Sequence, residues 1–188
     1  MIRRTTSSVF STREEGGGKK IIAGYFALYN SVYRINDVMS ESIAPGTFDT
    51  AIDGDIRALI NHETTLVLGR TKAGTLKLTA DEKGLYGEIE INENDTDALN
   101  LYYRVQRGDV DQCSFGFDIV KESFDEKDGK YHWSIKEIIL YEVSPCTFPA
   151  YEETSIEARK SAIEAHSKEN ATRQKTILSD RLERLINA

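Results

Sequence analysis

Three residue types in this 188-residue chain carry the capacity for covalent chemistry in unusual settings: a serine, a histidine and a glutamate. A serine hydroxyl is a weak nucleophile at neutral pH. It needs a base within hydrogen-bond reach, and the base needs a group that orients it and stabilises its charged form. Ser114 lies in Gln112-Cys113-Ser114-Phe115-Gly116-Phe117. Alternation puts Cys113, Phe115, Phe117 and Ile119 on one apolar face and Ser114 with Gly116 on the other. The glycine leaves the hydroxyl unobstructed, with room for a substrate chain beside it. His62 follows Leu59-Ile60-Asn61, where a strand meets a polar loop, and presents an imidazole at a sheet rim. Glu142 interrupts the apolar run Ile138–Val143. Turned inward, its carboxylate requires a donor to offset desolvation, and an imidazole is a suitable one. Each residue also has a plainer reading: Ser114 as a small polar residue on a wet face, His62 as structural, Glu142 as solvent-exposed.

The same residues admit rival chemistry. Two histidines and an acid suffice for zinc, but neither HxxxH nor CxxC spacing is present, so no metal site is expected. Cys113 is a second nucleophile in principle, yet it falls on the core face, where a thiol is inert. His132, in Lys130-Tyr131-His132-Trp133, reads as a cross-strand surface residue, and His166 as an exposed side chain in a polar tail.

Positioning those groups falls to a mainly β middle segment. Strands are expected over Lys20–Tyr29, Ile56–Asn61, Thr75–Thr79 and Leu85–Ile91, the last two joined by the turn Asp81-Glu82-Lys83-Gly84. Ser114–Phe124 and Lys130–Val143 flank a second polar turn. A short helix is expected over Thr47–Ile52. A longer one runs from an Asp95 or Thr96 cap to Arg107, with Leu99, Tyr102, Tyr103 and Gln106 along one side and Gly108 as its stop. The fold class is therefore mainly β with a few helices, an α+β arrangement. A small antiparallel barrel surrounded by helices is the expected closed form, since closure removes exposed edges.

Composition sets the boundaries. Residues 1–19 are polar, with Ser/Thr clusters and Gly16-Gly17-Gly18, and read as a flexible arm. Residues 20–151 hold almost all the aromatics. Residues 152–188 shift to Glu, Lys, Ala and Arg, with helical spacing of Ile177, Leu178, Leu182, Leu185 and Ile186. Hydrophobic residues make up 39 % of the chain, enough for one packed core. No apolar run is long enough for a transmembrane helix, and the start has no secretory-signal pattern. Two cysteines give no disulfide framework. The net charge of −7 opposes general affinity for nucleic acid.

The motifs taken together resemble the prohead (capsid maturation) proteases of HK97-type tailed bacteriophages. Gly24-Tyr25-Phe26-Ala27 resembles that family's opening strand, and Glu41–Phe48, with Pro45-Gly46-Thr47-Phe48, its following loop. Asn61-His62-Glu63 with Leu68-Gly69-Arg70 resembles its histidine motif. Arg107-Gly108-Asp109-Val110 leading to Cys113-Ser114-Phe115-Gly116-Phe117 resembles the serine motif. Tyr141-Glu142-Val143-Ser144, then Thr147–Tyr151, resembles the closing motif. The five pieces occur in order across Gly24–Tyr151. Pro145 and Cys146 depart from the family's small or β-branched residues, and Cys113 stands where glycine, serine or alanine is common.

The resemblance implies a serine endopeptidase similar in fold to the herpesvirus assembly proteases. Ser114 matches the nucleophile, His62 the general base and Glu142 the third member. His132 is the alternative third member, because the viral relatives use a second histidine. Arg70, or backbone amides near Ser114, are the candidates for the oxyanion. No cofactor is implied. The substrates implied are the scaffolding extension of the major capsid protein and the protease itself, inside the assembling procapsid in the bacterial host cytoplasm. The procapsid shell is an expected partner, the herpesvirus likeness leaves a homodimer open, and neither nucleic acid nor membrane is an expected partner. The alternative is a catalytically silent scaffold or capsid-assembly protein on the same fold.

Overall fold

A computed structural model describes residues 1–7 and 10–148 and, beyond them, only Ile163, Lys168 and Thr172. The chain divides into two compact units, Met1–Tyr151 and Glu152–Ala188. In the second unit the three described residues are helical. The helix expected over Ile177–Ile186 and the tail histidine His166 lie outside the described residues.

The first unit contains β1 (Ile2–Ser7), β2 (Ser11–Glu15), β3 (Lys19–Leu28), β4 (Tyr33–Arg34), β5 (Met39–Ile43), β6 (Arg57–Ile60), β7 (Glu63–Arg70), β8 (Leu76–Ala80), β9 (Gly84–Glu90), α1 (Thr96–Arg107), β10 (Gln112–Lys127) and β11 (Lys130–Cys146). Two sheets result. One runs β1-β10-β11-β5-β4, with β6 also on β11 and β7 on β6; the other runs β2-β3-β9-β8. The axis of the first sheet is the long antiparallel β10–β11 hairpin, turned by Asp128 and Gly129, both at positive φ. β5 and β6 pair with β11 in parallel, β5 at Tyr131–Ile135 and β6 at Glu142–Val143.

Both sheets contribute to one buried cluster, including Ile22, Phe26, Leu85 and Ile89 from one and Phe115, Phe117 and Ile135 from the other. The rings of Phe115 and Phe117 stack at 4.9 Å, and Phe48 meets Phe115 edge-on at 5.9 Å. The Cys113 thiol donates to the Tyr25 carbonyl at 3.1 Å, deep in the same face. The alternation of Cys113, Phe115 and Phe117 thus sets this core face, as expected from their spacing.

Four expectations are corrected. The first nineteen residues do not form a flexible arm: Ile2–Ser7 and Ser11–Glu15 are strands, each paired antiparallel to a neighbour. Their polarity hides this, because both strands lie at sheet edges and draw their order from a partner rather than from a face of their own. The closed barrel ringed by helices is replaced by two sheets and, among the described residues, one α-helix. The helix over Thr47–Ile52 shrinks to a 3-10 turn at Ala51–Asp53. Finally, α1 begins and ends where expected, capped by the Asp95 carboxylate on the Asp97 and Ala98 amides and stopped at Gly108 in the left-handed region. Its buried stripe, however, is Ala98, Leu101, Tyr102 and Val105. Those four follow the i, i+3, i+4, i+7 rule with apolar residues only, whereas the expected stripe leaves Tyr103 52 % exposed.

Candidate active site

The site is organised by a fault in β11. Gly116 lies opposite Glu142, but the next residue, Phe117, lies opposite Leu140. Tyr141 is the extra residue of a β-bulge. A strand period of two would put Glu142 on the core side with Ile138 and Leu140. The bulge reverses the parity, so Glu142, Ser144 and Cys146 share a face, while Val143 and Pro145 lie on the other. Ser114 pairs with Ser144 and Gly116 with Glu142, so those residues share that same face.

His62 reaches this face from β6. Ile60 pairs with Glu63, which leaves Asn61-His62 as a two-residue hairpin loop. Both residues have positive φ, 50° for Asn61 and 64° for His62. This is the geometry of a type I′ turn, whose second position favours glycine. A histidine there stores backbone strain of order 1–3 kcal/mol, which surrounding contacts must hold. Those contacts are present. The Asn61 amide donates to the Pro145 carbonyl at 3.1 Å, and the Asn61 side-chain oxygen accepts from the Thr147 amide at 2.9 Å. The hairpin tip is thereby tied to the end of β11.

From that tip, His62 Nδ1 contacts Glu142 Oε1 at 2.6 Å, with the two side chains 7 % and 4 % exposed. The other carboxylate oxygen accepts from Ser144 Oγ at 2.5 Å. A carboxylate accepts, so Nδ1 carries the hydrogen and Nε2 of the neutral ring keeps its lone pair. That lone pair faces Cys146 Sγ at 3.7 Å. The thiol also has the Ser144 carbonyl as an acceptor at 3.3 Å. Burial, reinforced by the Glu142 charge and opposed by Arg3 and the Ser114 amide, pushes the Cys146 thiol up to about 12. It is therefore a protonated, unreactive thiol at neutral pH. Ser114 Oγ is buried and makes no hydrogen bond.

The structure thus brings together Glu142, His62, Ser144 and Cys146, with Ser114 one strand spacing away opposite Ser144, about 5 Å between Cα atoms. It does not bring His132 there. His132 lies ten residues back along β11, roughly 30 Å of strand, and its two ring nitrogens each contact a serine hydroxyl, Ser40 and Ser42, at 2.9 Å. Nor does Arg70 join the group. It pairs with Arg57 at the end of the β6–β7 hairpin away from the His62 tip. There its guanidinium makes a two-point contact with Asp55 at 2.7 and 2.6 Å. That ion pair holds the Asp55 carboxyl down at about 2 and raises the Arg70 guanidinium. The space over Gly116 also differs from expectation. It seats the Glu142 carboxylate, since a Cβ at that position would collide with Glu142 Oε1 and Met1 Sδ. Ser144 and Cys146 were not singled out for the site from sequence. They follow Glu142 by two and four residues, and that period-two spacing was the available signal. No group of three or more His, Cys, Asp or Glu able to hold a metal ion is found among the described residues.

Comparison with known proteins supplies the family. The chain is 34 % identical over 151 residues to the prohead protease of Enterobacteria phage HK97, covering 78 % of this chain and 63 % of that protein. A solved structure of the bacteriophage T4 capsid assembly protease aligns with a TM-score of 0.47 at 10 % identity, over 79 % of this chain and all of the other. The family model described as caudovirus prohead serine protease matches residues 8–169. That match spans well over half of the sequence, and the chain belongs to the caudovirus prohead serine protease family.

Proposed function

We propose that the chain is a serine endopeptidase of procapsid maturation, with Ser114 as nucleophile, His62 as general base and Glu142 as the residue that orients and charges the base. The buried His62–Glu142 contact carries this reading. It fixes the tautomer in which Nε2 can take a proton, and the carboxylate stabilises the imidazolium that results. In the reaction, Nε2 removes the Ser114 proton as Oγ attacks a peptide carbonyl. The imidazolium then protonates the leaving amine, and water attacks the acyl-enzyme with His62 again as base. Before that sequence begins, Nε2 has to exchange its contact with Cys146 for one with Ser114 Oγ. Catalytic hydrogen bonds of this kind commonly tighten only with substrate bound.

The proposed substrates are the scaffolding extension of the major capsid protein and the chain itself, within the procapsid in the host cytoplasm. In this reading Met1–Tyr151 carries the catalysis. Glu152–Ala188 serves as a docking or self-cleavage segment, and a homodimer is the proposed active form.

A fluorophosphonate probe tests the assignment on the purified full chain. Wild type is labelled, and Ser114→Ala is not. His62→Ala reacts roughly a hundredfold more slowly or worse. Co-expressed capsid protein is shortened by wild type and left whole by Ser114→Ala. Labelling that persists in Ser114→Ala would remove the serine from the mechanism. Failure of wild type to label or to cut leaves a silent scaffold.

A further inference from the structure

The strand that flanks Ser114 on the side away from β11 is the chain's own N-terminal segment. β1 pairs antiparallel with β10 in continuous register from Ile2–Phe117 to Ser7–Gln112, with Thr5 opposite Ser114 and Arg4 opposite Phe115. An extended peptide that added itself to the edge of β10 would take this same position. The register also sorts side chains, because residues directly opposite one another project from the same face. Arg4 therefore projects with Phe115, through the sheet from Ser114.

Arg4 is 4 % exposed. Its Nε contacts Glu41 Oε1, and the side chain of Glu41 is 2 % exposed. The Arg4 guanidinium lies over the Tyr33 ring, 5.0 Å from its centroid. A cavity of about 240 Å³ opens beside it between Leu28, Val32, Tyr33, Glu41 and Phe115. A second guanidinium nitrogen of Arg4 is buried with no hydrogen-bond partner. This is a poor way to hold an edge strand for stability alone. A buried ion pair seldom outperforms apolar residues of the same volume, and an unsatisfied buried donor costs more still. A carboxylate at the foot of an aromatic-walled pocket is instead how a site selects a cation from an extended chain.

We propose that β1 occupies the substrate-strand position of this protease, and that Glu41 and Tyr33 form a subsite selecting a basic side chain next to the residue facing Ser114. The inference rests on Ser114 being the nucleophile. The segment Ile2–Ser7 competes with protein substrate for the edge of β10, and its displacement opens the site. The substrate class is a polypeptide presenting an extended segment with arginine at that subsite.

Peptide binding and probe labelling, both on the full chain, test the two parts separately. A fluorescent peptide with the sequence of Ile2–Ser7 is compared with one bearing alanine in place of Arg4. The Arg4→Ala chain, whose own strand is weakened, binds the arginine peptide at least tenfold more tightly than the alanine peptide. It also binds the arginine peptide at least tenfold more tightly than wild type does. Equal affinity for the two peptides overturns the subsite, and equal binding by the two chains overturns the competition. Fluorophosphonate labelling of Arg4→Ala is at least threefold faster than that of wild type and is slowed again by the arginine peptide. Where Arg4→Ala loses the circular dichroism of the native fold, Arg4→Lys, whose single ammonium holds Glu41 and Tyr33 less well than the guanidinium does, is used with the same expected order of affinities and rates. Binding needs no nucleophile. Arginine preference that persists with no labelling of any form sinks Ser114 as nucleophile and keeps the subsite; labelling without preference does the reverse.

Discussion

Glu142 has a hydrogen bond on each oxygen, from His62 at 2.6 Å and from Ser144 at 2.5 Å, and it is buried. A buried carboxylate in that setting acts through its charge, because a neutral isostere would satisfy the same geometry without stabilising an imidazolium. Glu142→Gln is expected to lower kcat by at least about a hundredfold while leaving KM nearly unchanged, read in steady-state peptide hydrolysis. Proportional loss in KM alone would make Glu142 a substrate-binding residue instead. Cys146 is the sharper discriminator. It lies 3.7 Å from His62 Nε2, so geometry by itself allows a cysteine mechanism. A thiol pushed up to about 12 supplies almost no thiolate at neutral pH. Cys146→Ala is therefore expected to keep at least wild-type activity, and iodoacetamide to leave the enzyme active. Abolished turnover in Cys146→Ala would transfer the nucleophile from Ser114 to sulfur.

At the scale of elements, the β6–β7 hairpin explains why a histidine stands where a turn prefers glycine. His62→Gly and His62→Ala both remove the imidazole and both leave Glu142 without it, so their difference isolates the turn. Glycine is expected to be the more stable of the two by up to about 1 kcal/mol in urea unfolding, since φ of 64° strains a residue with a Cβ. Both variants lose activity, and a less stable glycine variant would mean the turn is unstrained. This hairpin also marks how far the sequence could be read. Leu59-Ile60-Asn61-His62 signalled a strand that ends just before the histidine, although the polar loop expected after it is strand β7, and Asp95 to Gly108 signalled a capped helix, because propensity and caps are local. The bulge at Tyr141 was not legible. Nothing in Ile138–Ser144 announces a change of parity, and the alternation alone assigns Glu142 to the core. The register that brings it opposite Gly116 is a property of the pair β10–β11. For the same reason Arg70 read as a loop cation, when Asp55, fifteen residues away, engages it with both oxygens.

At the scale of the whole chain, the described core lies within one unit, and the strand beside Ser114 comes from that unit's N-terminal end. Buried apolar residues among those described run from Phe10 to Cys146, all within Met1–Tyr151. That span draws both sheets and α1 into one cluster, and a domain of about 150 residues buries enough of its surface to be stable alone. β1 was invisible in the sequence because Ile2-Arg3-Arg4-Thr5-Thr6-Ser7 offers no apolar alternation; its order comes from pairing with β10, more than a hundred residues away. The two ends of the chain therefore carry opposite expectations. A chain ending at Tyr151 is expected to unfold in one cooperative transition, with a Tm within a few degrees of the full chain, and to keep its labelling by a fluorophosphonate probe. Circular dichroism melts and probe labelling of the two chains side by side provide the check. A broadened transition or a large drop in Tm would show that Glu152–Ala188 contributes to the folded core. Retained stability with lost cleavage of capsid protein, but not of short peptides, would assign the tail to substrate docking.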